Sequence, residues 1–405
     1  MDHPLLNDPL VQAALDYIKE DDERTLSEQL TLTEIPAPSH HEKEKAEYVR
    51  TLFEEAGLED VCLDEVWNVL GTLKGTGCGP AIMLAGHTDT VFPYGTDVKV
   101  RKEGNRYSAP GINDDTRAVA EILSVARAFQ LTGLRPMGDI IFCANVCEEG
   151  LGDLKGVKHI FYNENSIDGF VSVDNPVTGG IVFTATGSRR FLITINGRGG
   201  HSFADFGLPN PIHALGRLIA RIADFQVPRM PKTTFNAGVI QGGTSVNTIA
   251  GSCSLLLDLR SDSPAELERL EKEMRAALEL SVHEENSRWD SEHLLTYDVE
   301  VKGIRPAGTQ PADAPVVRAA WLAAEMLGIQ PELRDESSTD ANIPISLGIP
   351  AITIGRGGRE GGVHTLKEWF EPVEAWLGPQ RDLLCVLLLA GLEGVQAPML
   401  ARRDR

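Results

Sequence analysis

The sequence predicts an α/β fold: a three-layer domain on a mixed, mostly parallel sheet, interrupted by a small ferredoxin-like α+β domain. Three observations predict it. Short apolar runs alternate with amphipathic helical patterns in the first half of the chain and again after about residue 302. Between them the patterns run strand, helix, strand, strand, helix, strand, which is the ferredoxin-like order. The chain also has 405 residues, more than one hydrophobic core usually serves. The expected boundaries place 1–186 and 303–405 in the larger domain and 187–302 in the insert.

Each element has its own signal. Ser39 and Glu42 have the spacing of a capping box, Ala46, Val49, Leu52 and Phe53 make a helical stripe, and Gly57 stands where a helix would end. The run Ala81–Gly86 reads as a buried strand, 116–130 as a helix, and 139–146 and 169–173 as strands. In the middle, 190–196 reads as a strand, 211–225 as a helix, and 233–240 and 252–260 as strands. Ser263-Pro264-Ala265-Glu266 opens a helix with a capping box and Pro at its first position, and 295–301 completes the set as a strand. A helix over 313–327 and a strand over 351–354 resume the larger domain.

Composition excludes some roles. A net charge of −21 disfavours nucleic acid and anionic membrane as partners. The chain opens Met1-Asp2-His3-Pro4, with no basic and apolar leader, and the late apolar run Leu383–Leu392 is too short to span a bilayer. A cytoplasmic protein is expected. Six cysteines are scattered without a disulfide framework, and Cys143 and Cys147 are read as core thiols.

Chemistry concentrates at the ends of the apolar runs, where an open α/β sheet places its ligand site. Gly86-His87-Thr88-Asp89 follows a strand, and His87 and Asp89 share a face because strand side chains alternate. Asn113-Asp114-Asp115 opens a helix, Glu148-Glu149-Gly150 closes a strand, Asp174 closes another, and His364 follows the Gly-rich segment 355–358. Imidazole and carboxylate in this mix can hold a metal pair, with Asp89 orienting His87 from behind.

In this order the motifs GHTDTV, GINDD, EEG, Asp174 and GGVHT resemble the M20 metallopeptidases, together with Gly197-Arg198-Gly199-Gly200-His201-Ser202 and Ser338-Thr339-Asp340-Ala341-Asn342. The resemblance spans roughly residues 30–390. It implies two Zn²⁺ per chain, with Co²⁺ or Mn²⁺ as substitutes. His87 and Asp174 would hold one ion, Glu149 and His364 the other, and Asp114 would bridge them. It also implies Glu148 as general base, and Asp115 is then read as a helix cap. The insert becomes a lid and dimerisation surface of a homodimer. Its His201 would reach the partner's site to bind the oxyanion, and Asn247 and Arg260 would contact substrate. Arg260 has surface pairs in Asp258 and Asp262 as its other reading. The segment 355–358 is either a close approach for substrate backbone or simply a turn. Asp rather than Glu at 174, and the run at 338–342, are similar to the family's aminopeptidases. The expected activity is hydrolysis of short peptides from a free amino end. An N-acyl-amino-acid deacylase is the alternative, and a non-catalytic binding protein on the same scaffold is the alternative of another class.

Overall fold

The computed structural model describes residues 3–164, 166–334 and 338–403; the opening Met1-Asp2, read above for a leader, lies outside them. The chain divides into two compact units, 1–185 with 309–405, and 186–308.

In the larger unit, helices α1 (Pro9–Glu20) and α2 (Asp22–Thr33) precede anything expected from the sequence. Their signal was present: Asp8 accepts from the amides of Leu10 and Val11, and Pro9 takes the first helical position, where its missing N–H costs nothing. Next come α3 (Lys43–Glu55), β1 (Glu59–Leu63), β2 (Val69–Leu73), β3 (Ile82–His87), α4 (Thr116–Thr132), β4 (Ile140–Asn145), α5 (Lys155–Asn163), β5 (Gly169–Val173) and β6 (Gly180–Val182).

The Ser39–Glu42 capping box does not form. Glu42 precedes α3 with no side-chain cap bond. Its carboxylate instead accepts from the amides of His40 and Cys147, and Ser39 turns to Asp89. For Ser39 the charged acceptor is Asp89, just past β3, and for Glu42 the donors are the amide of its neighbour His40 and that of Cys147, beyond β4.

The insert supplies β7 (Gly187–Asn196), α6 (Pro211–Ala223), β8 (Thr233–Gly242), β9 (Ser252–Ser261), α7 (Pro264–Ser287) and β10 (Thr296–Arg305). They form an antiparallel sheet in the order β8-β9-β7-β10. Phe191, Ile193 and Ile195 point alternately inward from β7 onto Leu215, Leu218 and Met274 of the helices. Ser263 accepts from the Glu266 amide, one half of the expected capping box, while its own amide donates to Ser261 Oγ rather than to Glu266. This unit runs to Gly308, past the expected residue 302, because β10 continues to Arg305.

The larger unit closes with α8 (Pro315–Met326), β11 (Glu332–Arg334), β12 (Ala351–Ile354) and α9 (Leu377–Ala390). Its eight-stranded sheet has the order β1-β2-β4-β3-β5-β12-β6-β11. The central four strands, β4, β3, β5 and β12, are parallel, while β1, β2 and β6 introduce antiparallel pairs. Alternation along β3 builds a core on each face. Ile82 and Leu84 join Phe129, Phe142 and Leu387 on one side, and Met83 and Ala85 join Cys143, Phe161 and Phe170 on the other. Three layers result, as the sequence predicts. Cys143 is a core thiol. Cys147 is not on the strand: it lies beyond β4 at φ +59, with its Sγ 3.2 Å from a Glu42 oxygen, so strand alternation does not govern it.

Parallel pairing has one consequence for function. His87 stands opposite Asn145, and Ile354 opposite Val173, so β3, β4, β5 and β12 all end at one edge. The loops leaving these strands must converge there.

Candidate metal centre

His87 ends β3 and is buried. Its Nδ1 lies 3.0 Å from the Asp89 carbonyl and 3.4 Å from Asp89 Oδ1. Both are acceptors, so Nδ1 carries the proton and Nε2 is left to bind an ion. Nε2 faces Asp114 Oδ1 at 3.2 Å. The other oxygen of Asp114, Oδ2, lies 3.0 Å from His364 Nε2, and that nitrogen lies 2.7 Å from Glu149 Oε1. Asp114 therefore turns one oxygen to each histidine. Ligand atoms of His87, Asp114 and Asp174 fall within 4.8 Å of one another, as do those of Asp114, Glu149 and His364, and those of His87, Glu148 and Glu149. The six sequence-predicted residues His87, Asp114, Glu148, Glu149, Asp174 and His364 thus converge. Mixed nitrogen and oxygen donors around a shared carboxylate fit a pair of divalent metal ions.

Asp89 does more than face His87. Its Oδ1 accepts from the Glu148 amide at 2.9 Å, and Oδ2 accepts from the Glu149 amide at 3.0 Å and from Ser39 Oγ at 2.6 Å. One buried carboxylate thereby fixes the turn that presents both glutamates. Glu368 does the same for the opposite loop. It accepts from the amides of Gly111, Asn113 and Asp114 at 3.0, 2.8 and 3.2 Å.

Asp115 stands at the N-cap position of α4, but its side chain does not cap the helix. Its Oδ2 accepts from the His87 amide at 3.0 Å, and its Oδ1 accepts from Arg356 at 2.8 Å. Nor is 355–358 an open approach. A Cβ on Gly355 would lie 1.8 Å from the Val177 carbonyl, and one on Gly357 would lie 2.1 Å from that of Ala375. The glycines let the chain pack closely, and Arg356 reaches into the carboxylates. Sequence reasoning missed Ser39, Glu42, Glu368 and Arg356. For Arg356 a signal existed: it sits two residues beyond a buried strand, much as Asp174 and the Glu148-Glu149 turn follow theirs.

The electrostatics arise from crowding. Burial first, then the charges of Asp114 and Asp115, pushes Asp174 well above the ordinary carboxylate range. Burial likewise raises Asp115. Burial opposes the charge on Asp114 too, but Arg356, His364 and His87 outweigh it and hold its carboxyl well below that range. Hydrogen bonds to Asp114 and then Glu149 push the His364 imidazolium up to about 10. Each favoured proton on a histidine marks a place where a metal cation would be equally welcome.

The insert carries His201, Asn247 and Arg260. Gly200-His201 pairs with Thr248-Ile249, so His201 and Asn247 share one corner, and Asn247 accepts from the Ser202 amide. His201 Nδ1 accepts from the amides of Phe203 and Ala204 at 3.2 and 3.3 Å. In the neutral ring the proton is then on Nε2. Arg260 lies elsewhere. It stands opposite Ser188 while Ser252 stands opposite Asn196, so about 26 Å of strand separates it from that corner. Its Nε donates to Asp258 at 2.7 Å, the surface pair.

No helix among the described residues is long and apolar enough to cross a membrane. The protein YqjE of Bacillus subtilis is 26% identical over 367 residues, covering 86% of this chain and 93% of its own. A tripeptidase from Staphylococcus aureus superposes with a TM-score of 0.76 at 24% identity, covering 91% of this chain and 98% of its own. The YXEP protein of Bacillus subtilis, a dinuclear metal binding peptidase, superposes with a TM-score of 0.67 at 19% identity, over 92% and 99% of the two chains. These two likenesses establish the fold, and the family assignment rests on the sequence. The model of peptidase family M20/M25/M40 matches residues 83–389, with the converging carboxylates and histidines inside that span, and the chain is an enzyme of this family, a metallopeptidase or amidohydrolase.

Proposed function

We propose that this enzyme hydrolyses short peptides from a free amino end with the help of two zinc ions, which Asp114 would share. The observation that carries the two-ion reading is that the two oxygens of Asp114 face different histidines, His87 at 3.2 Å and His364 at 3.0 Å. His87 and Asp174 would hold one ion, and Glu149 and His364 the other. When bound, the pair supplies Lewis acidity to the scissile carbonyl and lowers the pKa of the attacking water.

The protein's own groups do the rest. Glu148 takes the proton of the attacking water and passes it to the leaving amine. Its backbone amide is tied to Asp89, so its carboxylate starts from a fixed point. Asp89 and the His87 ring stay in register through the Nδ1 contacts. His201 presents Nε2–H as a neutral donor for the oxyanion, because two backbone amides occupy Nδ1. In a homodimer this donor would act on the partner's site, with Asn247 beside it. Arg260 as a substrate contact must act apart from that pair. Support for the amino-end preference comes from Asp at 174 and from the tripeptidase likeness of the fold.

The test is a hydrolysis screen of zinc-loaded protein against di- and tripeptides, N-blocked peptides, and N-acetyl and N-succinyl amino acids, with metal analysis alongside. Cleavage of free-amino peptides over N-blocked ones, at two zinc ions per chain, is the expected result. Preference for the N-acyl amino acids would replace this substrate reading with the deacylase one. A stoichiometry that never exceeds one would remove the bridge.

A further inference from the structure

Arg356 is a guanidinium buried inside the ligand cluster, and no step of the proposed hydrolysis uses it. Its Nη1 lies 2.8 Å from Asp115 Oδ1, 3.1 Å from Asp174 Oδ1 and 3.3 Å from Asp114 Oδ1. From the other side Glu360 holds it, with Nε to Oε2 at 3.1 Å and Nη2 to Oε1 at 2.9 Å. The residue is 2% exposed, so it is not free to swing out to a substrate carboxylate. Its backbone is fixed as well: its amide donates to the Asn175 carbonyl at 2.8 Å. The Asp114 oxygen it meets is the one that faces His87 Nε2.

Three carboxylates packed this closely repel one another, and a buried charge needs a partner. A planar fork with several donors suits that task better than a single ammonium. We propose that Arg356 is a positioning residue, the built-in counter-ion that keeps Asp114 and Asp174 gathered in ligating positions when no ion is bound. This rests on the two-metal reading above. Its physical consequence has a definite sign. A fixed cation stabilises the metal-free cluster and repels an incoming dication, so it flattens the difference in stability between the two states. A residue that only fills space would stabilise both states alike.

The test uses the full chain, unmodified and as Arg356→Gln and Arg356→Lys. Each is unfolded in urea after chelator stripping and again saturated with zinc chloride, and zinc affinity is read by competition with a chromogenic chelator. For Arg356→Gln the gap between the two unfolding midpoints should widen, and zinc should bind about tenfold more tightly or better. Arg356→Lys keeps the charge and should stay close to the unmodified gap. An Arg356→Gln chain that folds only with zinc supports the proposal in its strongest form. Equal destabilisation of both states, weaker zinc binding, or failure to fold in both states overturns it. So does an Arg356→Lys chain whose gap widens as far as that of Arg356→Gln. Zinc uptake by the unmodified chain separates the two readings: no uptake defeats the metal centre itself, whereas two bound ions with an unwidened gap defeat only the role of Arg356.

Discussion

Replacing Asp89 by Asn changes no volume, and the structure says what it costs. The two carboxylate oxygens accept from the amides of Glu148 and Glu149, and Oδ2 also accepts from Ser39. An amide side chain has one acceptor oxygen. Whichever way it turns, its NH₂ faces a backbone N–H, and that N–H is left buried without an acceptor. An orphaned buried donor costs about 1–3 kcal/mol, and loss of charge assistance at the surviving bonds adds about 1 kcal/mol. Asp89→Asn should therefore destabilise the protein by about 2–4 kcal/mol. Ser39→Ala removes one of the same bonds and should cost about 1.5–3 kcal/mol. The two share a contact, so the double variant should cost less than their sum. The assay is equilibrium urea unfolding, paired with kcat/KM on a cleaved peptide. Because both glutamates hang from this turn, kcat should fall at least tenfold while zinc remains bound. Stability within about 0.5 kcal/mol of the unmodified protein, or strict additivity in the cycle, would refute the reasoning.

Glu148→Gln should keep both zinc ions by metal analysis and lose about 10²–10⁴-fold in kcat, since only proton transfer is removed. Loss of metal by this variant, with retention by Glu149→Gln, would show the two roles reversed. Burial lowers the Lys45 ammonium from 10.5 to about 8, against the pull of Asp89 and Glu42. The folded state thus binds this proton less well than the unfolded chain, so the group's contribution is complete above pH 10.5 and is lost as pH falls through about 8. Lys45→Met should accordingly stabilise the protein by about 3 kcal/mol at pH 7 and by nothing above pH 10.5, read from urea midpoints across pH. Mixing His201→Ala with Glu148→Ala chains under subunit exchange should restore activity, because one site of the heterodimer then combines an intact Glu148 with the partner's intact histidine. Confirmed heterodimers without activity would place His201 in its own chain's site, and activity of the His201→Ala chain by itself would place the residue outside the reaction.

Much of this protein was legible in the sequence, for a local reason. Strand alternation and helical stripes depend on neighbours a few residues away, so the sheet's central strands, α4 and the order of the insert can be read from patterns. The strand ends likewise announced His87, Glu149 and Asp174, because parallel strands deliver their outgoing loops to one edge, and a helix start announced Asp114. The readings that failed assigned a polar side chain to its nearest sequence neighbour. Ser39 and Glu42 have capping-box spacing, yet Ser39 pairs with Asp89, and Glu42 reaches the Cys147 amide as well as that of its neighbour His40. Asp115 stands at a helix start, yet it holds His87 and Arg356. In each case a buried charge or amide far along the chain was the stronger partner, since an unpaired one in low dielectric costs more than a lost cap. Arg356 and Glu368 belong to the same class. Their roles exist only where separate strand ends and loops meet, and that meeting is decided by tertiary packing.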